Sequence, residues 1–211
     1  MKVTKLEHAC LLVEIDDAKL VIDPGSFTVP LADPTGVVAV VITHEHADHW
    51  TPDHLARITR ASPDARIFGA PGVVAAADGF EVTPTHDGDT VEVGPFTLRF
   101  AGTTHAVIHS SVPTVDNVGV LVNDTLFYPG DAFTVPPFEV DTLAAPVGAP
   151  WLKVGEAMDY VSAVAPKRAF PTHSMTLSKA GFDMQSARLA AMTDAAGGDF
   201  RILEPGESIE L

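Results

Sequence analysis

The chain has 211 residues, enough for one large domain or two small ones with a substantial core. Its 13 Lys and Arg against 28 Asp and Glu give a formal net charge of −15 with no basic cluster, which argues against nucleic acid and anionic membranes as partners. One cysteine, Cys10, leaves no intramolecular disulfide to form, and no signal-peptide core or membrane-length apolar run is present, so a cytoplasmic protein is expected.

Residues 3–15 read as strand and hairpin material, with a turn at Asp16-Asp17 and a return strand over 19–22. Asp23-Pro24-Gly25 stops that strand, and a Pro- and Gly-rich loop runs to Gly36. Val37–Ile42 is a continuous apolar run, the pattern of a strand buried on both faces. Thr51 as N-cap and Pro52 at the first helical position predict a helix to about residue 60. A strand over 65–68 and a brief helix over 71–77 follow. Strands 90–93 and 96–100 flank a turn at Gly94-Pro95, and strands 118–122 and 126–128 flank Asn123-Asp124-Thr125. Then come a Pro- and Phe-containing loop (132–138), an apolar stretch near Leu143, a helix over 153–164 and a strand stub over 169–171. A helix over roughly 182–196 and a strand over 200–203 close the chain. Two successive strands-then-helix halves predict an α/β fold, a single domain over 1–211 with two sheets covered by outer helices.

The chemistry concentrates in Thr43-His44-Glu45-His46-Ala47-Asp48-His49, between the 37–42 strand and the helix at Pro52. Alternate side chains of an extended segment share a face, so His44 and His46 can converge on one metal ion. Asp48 and His49 follow a change of direction and can address a second. Three further strand ends carry the residue types needed: His105, Asp131 after Gly130, and His173. Imidazole and carboxylate ligands suit zinc, and also manganese or iron. The pattern assigns His44, His46 and His105 to one metal, Asp48, His49 and His173 to the other, and Asp131 as the bridge.

His109 is the rival to His105 and is assigned to ligand support or substrate contact. Asp23 is either a turn former or the acceptor of a hydrogen bond from a ligand imidazole. His8 is placed on a strand face with Leu6, Cys10 and Leu12, either simply buried or bonded to a group of the site. Cys10 reads as a small core residue, His54 as a helix-surface or packing residue, and His86 as part of a surface turn beside Asp87-Gly88-Asp89. Loops 25–36, 105–117 and 132–151 should form the pocket, with Phe27, Phe133, Phe138 and Trp151 as apolar walls and Ser110, Ser111 and Thr134 as hydrogen-bonding groups. Lys153 is the nearest cation to these loops, which favours a lactone or ester over a highly phosphorylated substrate.

The H-x-H-x-D-H run at 44–49, followed in order by His105, Gly130-Asp131 and His173, resembles the metallo-β-lactamase superfamily from about residue 8 to residue 173. Every ligand position of that pattern has a counterpart, and Asp23 matches the family's supporting aspartate. The resemblance implies an αβ/βα four-layer sandwich of two mixed β-sheets flanked by helices. It also implies a hydrolase with two divalent ions, zinc foremost, whose bridging hydroxide, oriented by Asp48, cleaves an ester, lactone or phosphoester in a small molecule. The compact length and the segments 105–109 and 149–153 are most similar to a small-molecule branch that includes relatives of ascorbate-6-phosphate lactonase. The alternatives are a mononuclear iron oxidoreductase similar to persulfide dioxygenases, and a non-catalytic metal-binding protein on the same fold. Diiron oxygen reductases of the superfamily carry Glu where this chain has His46.

Overall fold

Residues 1–211 are described by a computed structural model. The first part of the chain lays down β1 (Lys2–Lys5), β2 (Leu11–Ile15), β3 (Ala18–Ile22), β4 (Val37–Ile42), α1 (Pro52–Ala61), β5 (Arg66–Gly69), α2 (Pro71–Ala76) and β6 (Val82–Pro84). The second part supplies β7 (Thr90–Val93), β8 (Phe96–Ala101), β9 (Gly119–Val122), β10 (Leu126–Tyr128), β11 (Thr142–Pro146), α3 (Val154–Val164), β12 (Arg168–Thr172), α4 (Lys179–Ala195) and β13 (Asp199–Phe200). The last strand, β14 (Ser208–Glu210), returns to the first sheet. Two seven-stranded sheets result, ordered β14-β1-β2-β3-β4-β5-β6 and β13-β12-β11-β10-β9-β8-β7. The hairpins pair antiparallel, whereas β3 to β6 and β10 to β13 run parallel. Both sheets are therefore mixed.

The two-residue period of the strands decides which side chains meet. Leu98, Phe100, Val120, Val122, Leu126, Tyr128 and Phe170 join Val13, Leu20, Ile22 and Val40 of the first sheet in a buried cluster of 34 residues. Their neighbours Leu121, Phe127, Leu143 and Ala169 turn the other way and pack with Tyr160 and Val161 of α3 and Leu189 of α4 in a cluster of 13. Each such fully buried large side chain contributes about 1.5–3 kcal/mol. The architecture is the expected αβ/βα sandwich, and no helix is long and apolar enough to cross a membrane.

Three expectations need correction. His8 is not on a strand face: β1 ends at Lys5, and a turn containing His8 at φ 55° precedes β2, so His8 lies in a tight connection between two strands. Helix α4 begins at Lys179, earlier than its apolar residues indicate, because the Ser178 side chain accepts the Gly181 amide and caps it. The strand expected over 200–203 is β13, ending at Phe200, and the extra strand β14 pairs Val3 with Ile209. Short edge strands of this kind are set by non-local pairing, which local pattern does not encode.

Candidate metal centre

Strands β3 and β4 are parallel neighbours, with Ile22 opposite Val41, so the residues just past their ends meet. Asp23, fully buried at φ 48°, accepts the Thr43 amide at 2.8 Å through Oδ1. Its Oδ2 accepts the Thr43 hydroxyl at 2.7 Å and His49 Nδ1 at 2.6 Å. Gly25 allows this strand end to touch the histidine loop: a Cβ there would stand 1.7 Å from the Asp48 carbonyl oxygen. The loop is also held by Trp50 Nε1, which donates to the Glu45 carbonyl at 3.0 Å. Thus a sequence that looks like a strand stop also builds one wall of the site.

The second sheet meets this wall end on. The Val118 amide donates to the Thr43 carbonyl at 3.0 Å, and the His173 amide to the His8 carbonyl at 2.8 Å. Asn117, fully buried, donates to the Pro129 carbonyl at 2.9 Å and accepts the Asp131 amide at 2.9 Å, clamping the turn after β10. Gly130 in that turn has φ +65°, and a Cβ would lie 2.4 Å from Asn117 Oδ1 and 2.7 Å from Thr43. Asp131 is thereby delivered between the histidines of both sheets.

Four imidazoles are held by the same device. Nδ1 of His49 donates to Asp23, that of His105 to the Ala106 carbonyl at 2.5 Å, and that of His173 to the Gly148 carbonyl at 2.5 Å. The Thr43 hydroxyl spends its proton on Asp23, so at 3.1 Å it accepts from His44 Nδ1. With every Nδ1 engaged, every Nε2 is left to face inward. Nε2 of His44, His49, His105 and His173, together with Asp131 Oδ1, are buried without a hydrogen-bond partner. Such orphaned groups are costly unless something binds them. The potential ligand atoms fall into groups lying within 4.8 Å of one another: His44, His46 and His105; His8, Asp48, His49 and His173; and His44, His49 and Asp131. The donor set, histidine nitrogen and carboxylate oxygen, fits a divalent transition metal.

Electrostatics support the same reading. Burial, followed by the charge of His49, pushes His44 well below the usual histidine range, so its imidazole is neutral and able to accept a cation. Burial opposes protonation of His49 and His173, but Asp131 and its neighbouring carboxylates outweigh it and raise both, His173 to about 9. Nε2 of His49 is 3.2 Å from Asp131 Oδ1 and that of His173 is 3.1 Å from Oδ2, ion-pair distances that no hydrogen bond completes. Burial likewise opposes ionisation of Asp48, yet His173 and His8 outweigh it and keep the carboxyl well below its usual range.

His44, His46, Asp48, His49, His105, Asp131 and His173 are brought together around one centre. His8 joins them: its Nδ1 accepts the Met175 amide at 3.2 Å, so Nε2 carries the proton and donates to Asp48 Oδ2 at 3.2 Å. That leaves His8 no lone pair for a metal. Trp151 Nε1 donates to Asp131 Oδ2 at 2.7 Å, a contact closer to the chemistry than an apolar wall. His109 is exposed and bonded to Ser111 within its own loop, so His105 and not His109 belongs to the cluster. Phe138 is not a pocket wall, because it packs against Phe127 and under the Arg99 guanidinium on the helix-covered side. Phe133 meets Trp151 edge-on and lies tilted against Tyr160, and Phe27 stands edge-on to His8. His54 is buried on α1, and His86 is exposed beside Asp89. Cys10 is a fully buried core residue. Thr43 and Asn117 were not visible as site residues, since neither type nor spacing marks them.

Two mixed sheets between helices, with a histidine and aspartate cluster at their joined strand ends, define a protein of the metal-binding αβ/βα class. The beta-lactamase superfamily domain matches residues 2–173, and the chain belongs to that superfamily. It is 38% identical to the Mycobacterium tuberculosis protein Rv0786c over 213 residues, covering 99% of this chain and 98% of that one. It is 26% identical over 231 residues to a UPF0173 metal-dependent hydrolase of Carboxydothermus hydrogenoformans, covering the whole of both. Among solved structures, Igni18, a metallo hydrolase of Ignicoccus hospitalis, superposes with a TM-score of 0.74 at 22% identity, over 100% of this chain and 98% of that one.

Proposed function

We propose that the chain is a metal-dependent hydrolase that cleaves an ester, lactone or phosphoester bond in a small molecule. Its ligands are His44, His46 and His105 for one divalent ion and Asp48, His49 and His173 for a second, with Asp131 between them. The observation that carries the reading is the set of buried, partnerless Nε2 atoms around Asp131. The full-length resemblance to a metal-dependent hydrolase supports it, and zinc is the ion that best suits so histidine-rich a set. Bound there, divalent ions supply Lewis acidity and a water ionisable near neutrality.

The chain's own residues do the remaining work. Asp23, Thr43 and the carbonyls of Ala106 and Gly148 fix the ligand tautomers, so no imidazole must reorganise when a cation arrives. Asp48, kept ionised and oriented by the His8 Nε2 proton, is the acceptor for a proton of the attacking water. Trp151 donates to Asp131 Oδ2 and keeps that carboxylate, which would hold a cation through its other oxygen, from rotating. His46, where diiron reductases have Glu, supports hydrolysis over oxygen reduction.

The test is metal analysis of the purified protein with a panel of lactones, esters and phosphodiesters, repeated with Asp48→Ala. About two metals per chain and a loss of turnover on the order of 100-fold or more in the variant are expected. Less than one metal per chain, with no turnover under any divalent ion, sinks the proposal. Iron content with oxygen uptake on a persulfide would move the chain to the dioxygenase reading.

A further inference from the structure

The segments that follow the strand ends bearing Asp23, His105, Asp131 and His173 are residues 25–36, 105–117, 132–151 and 173–178. They make up roughly a quarter of the chain, yet hold seven of its ten exposed large hydrophobic side chains. Phe27 and Val29 project from the first segment, and Val107, Ile108 and Val112 from the second. Val135 and Met175 project from the third and fourth. Single exposed apolar residues are ordinary on any surface. Four loops contributing them around one centre are not.

The chain itself keeps Val107, Met175 and Phe27 near the histidine cluster. Val107 follows His105 by two residues and Met175 follows His173 by two, which bounds each Cα separation at about 8 Å. The Met175 amide is bonded to His8, and the Phe27 ring lies 4.9 Å from the His8 ring. The same four segments contain no Lys or Arg, whereas Asp33, Asp116 and Glu139 lie on them. The cations that reach these segments are already engaged at the far end of the first, Lys19 with Asp33 and Arg57 with the Leu31 and Ala32 carbonyls. A phosphate or carboxylate beside Phe27, Val107 or Met175 would therefore meet no Lys or Arg from these segments, in a chain already at −15.

We propose that the substrate is an electrically neutral ester or lactone whose apolar acyl or alkyl arm lies across Phe27, Val107, Ile108 and Met175. The bond cleaved rests on the hydrolase reading above; recognition of the arm does not. In the reaction, water adds across the acyl carbon–oxygen bond: hydroxyl goes to the acyl carbon and the proton to the leaving oxygen. Burial of each methylene against such a rim strengthens binding about two- to fourfold, between half and full removal from water.

The experiment has two arms on the zinc-loaded full chain. Calorimetric titration with butyramide, hexanamide and octanamide reads arm recognition without turnover. Hydrolysis of 4-nitrophenyl acetate, butyrate and octanoate beside bis(4-nitrophenyl) phosphate reads the bond. Octanamide is expected to bind at least about tenfold tighter than butyramide, with kcat/KM of the esters rising in parallel. Val107→Ser combined with Ile108→Ser should flatten both slopes, and Ile202→Ser, exposed but outside these segments, should leave them in place. A flat amide series overturns the proposal, as does a preference for the phosphodiester over the octanoate. Retention on neutral phosphatidylcholine vesicles without any amide slope would instead assign the rim to a lipid surface. An amide slope with no turnover of any compound would leave arm recognition standing and remove the hydrolase reading.

Discussion

His8 and His173 share a left-handed backbone, φ 55° in each, and the amide of His173 donates to the carbonyl of His8 at 2.8 Å. His8 lies in the β1–β2 turn of one sheet and His173 at the end of β12 in the other, so this bond joins the sheets beside the site. Left-handed backbone is uncommon outside glycine, and two such residues back to back indicate a geometry imposed by their surroundings. The result is that His173 turns Nε2 toward Asp131 while His8 turns its own Nε2 proton toward Asp48.

His8→Ala should therefore lower kcat on the order of 10- to 100-fold while metal content per chain stays near that of the parent. His8→Asn, which tolerates the left-handed backbone and keeps an N–H donor, should recover part of the loss. Turnover and metal content measured on the same samples decide the matter. Undiminished kcat in His8→Ala would confine the residue to a structural role.

Asp23 serves three donors from one buried carboxylate. Asp23→Ala strands the Thr43 amide and His49 Nδ1 without acceptors, which costs about 2–4 kcal/mol in the metal-free protein. Freed to rotate, His49 should bind zinc about 10- to 100-fold more weakly. Urea unfolding of the metal-free variant and a competitive chelator titration check the two effects separately.

Two glycines make opposite predictions. Gly130→Ala forces a Cβ into Asn117 and Thr43 at positive φ and should destabilise by about 3 kcal/mol. Gly155→Ala, in α3 with open space around it, should stabilise by about 0.5–1 kcal/mol. Thermal melts read both, and equal effects would contradict the packing described.

Metal binding should be proton-linked in a defined direction. In the metal-free chain His173 holds its proton to about 9, and His49 is also raised above the ordinary 6.5. Their contribution to metal-free stability is complete below 6.5 and is lost as pH rises through about 9. A metal takes the same nitrogens deprotonated, so zinc binding at pH 7.5 should release about two protons. Calorimetry in buffers of different ionisation enthalpy measures that number, and zero release would show the cation binding elsewhere.

Much of the site is legible in one dimension because ligand identity is a matter of residue type, and the 44–49 run sits within one strand end and its turn. His105, Asp131 and His173 are legible as strand-end residues because a strand's end is marked locally, by Gly102, Gly130 and the short apolar run before Thr172. His8 is only half legible: the turn that lifts it off the strand depends on Cys10 bonding back to Leu6 and Glu7, which no periodicity announces.

What the sequence by itself determined is the kind and order of most elements, the chain order of the candidate ligands and the anionic, cation-poor character of their loops. These follow from local period, turn chemistry and composition. Only the tertiary structure decided that Asn117 clamps Asp131, that Thr43 hands its proton to Asp23, that Phe138 faces the helices and that β14 closes the first sheet. Each of these is a contact between residues far apart in the chain, formed because buried polar groups must find partners and sheet edges must pair. Those requirements act only once the two halves of the molecule have met.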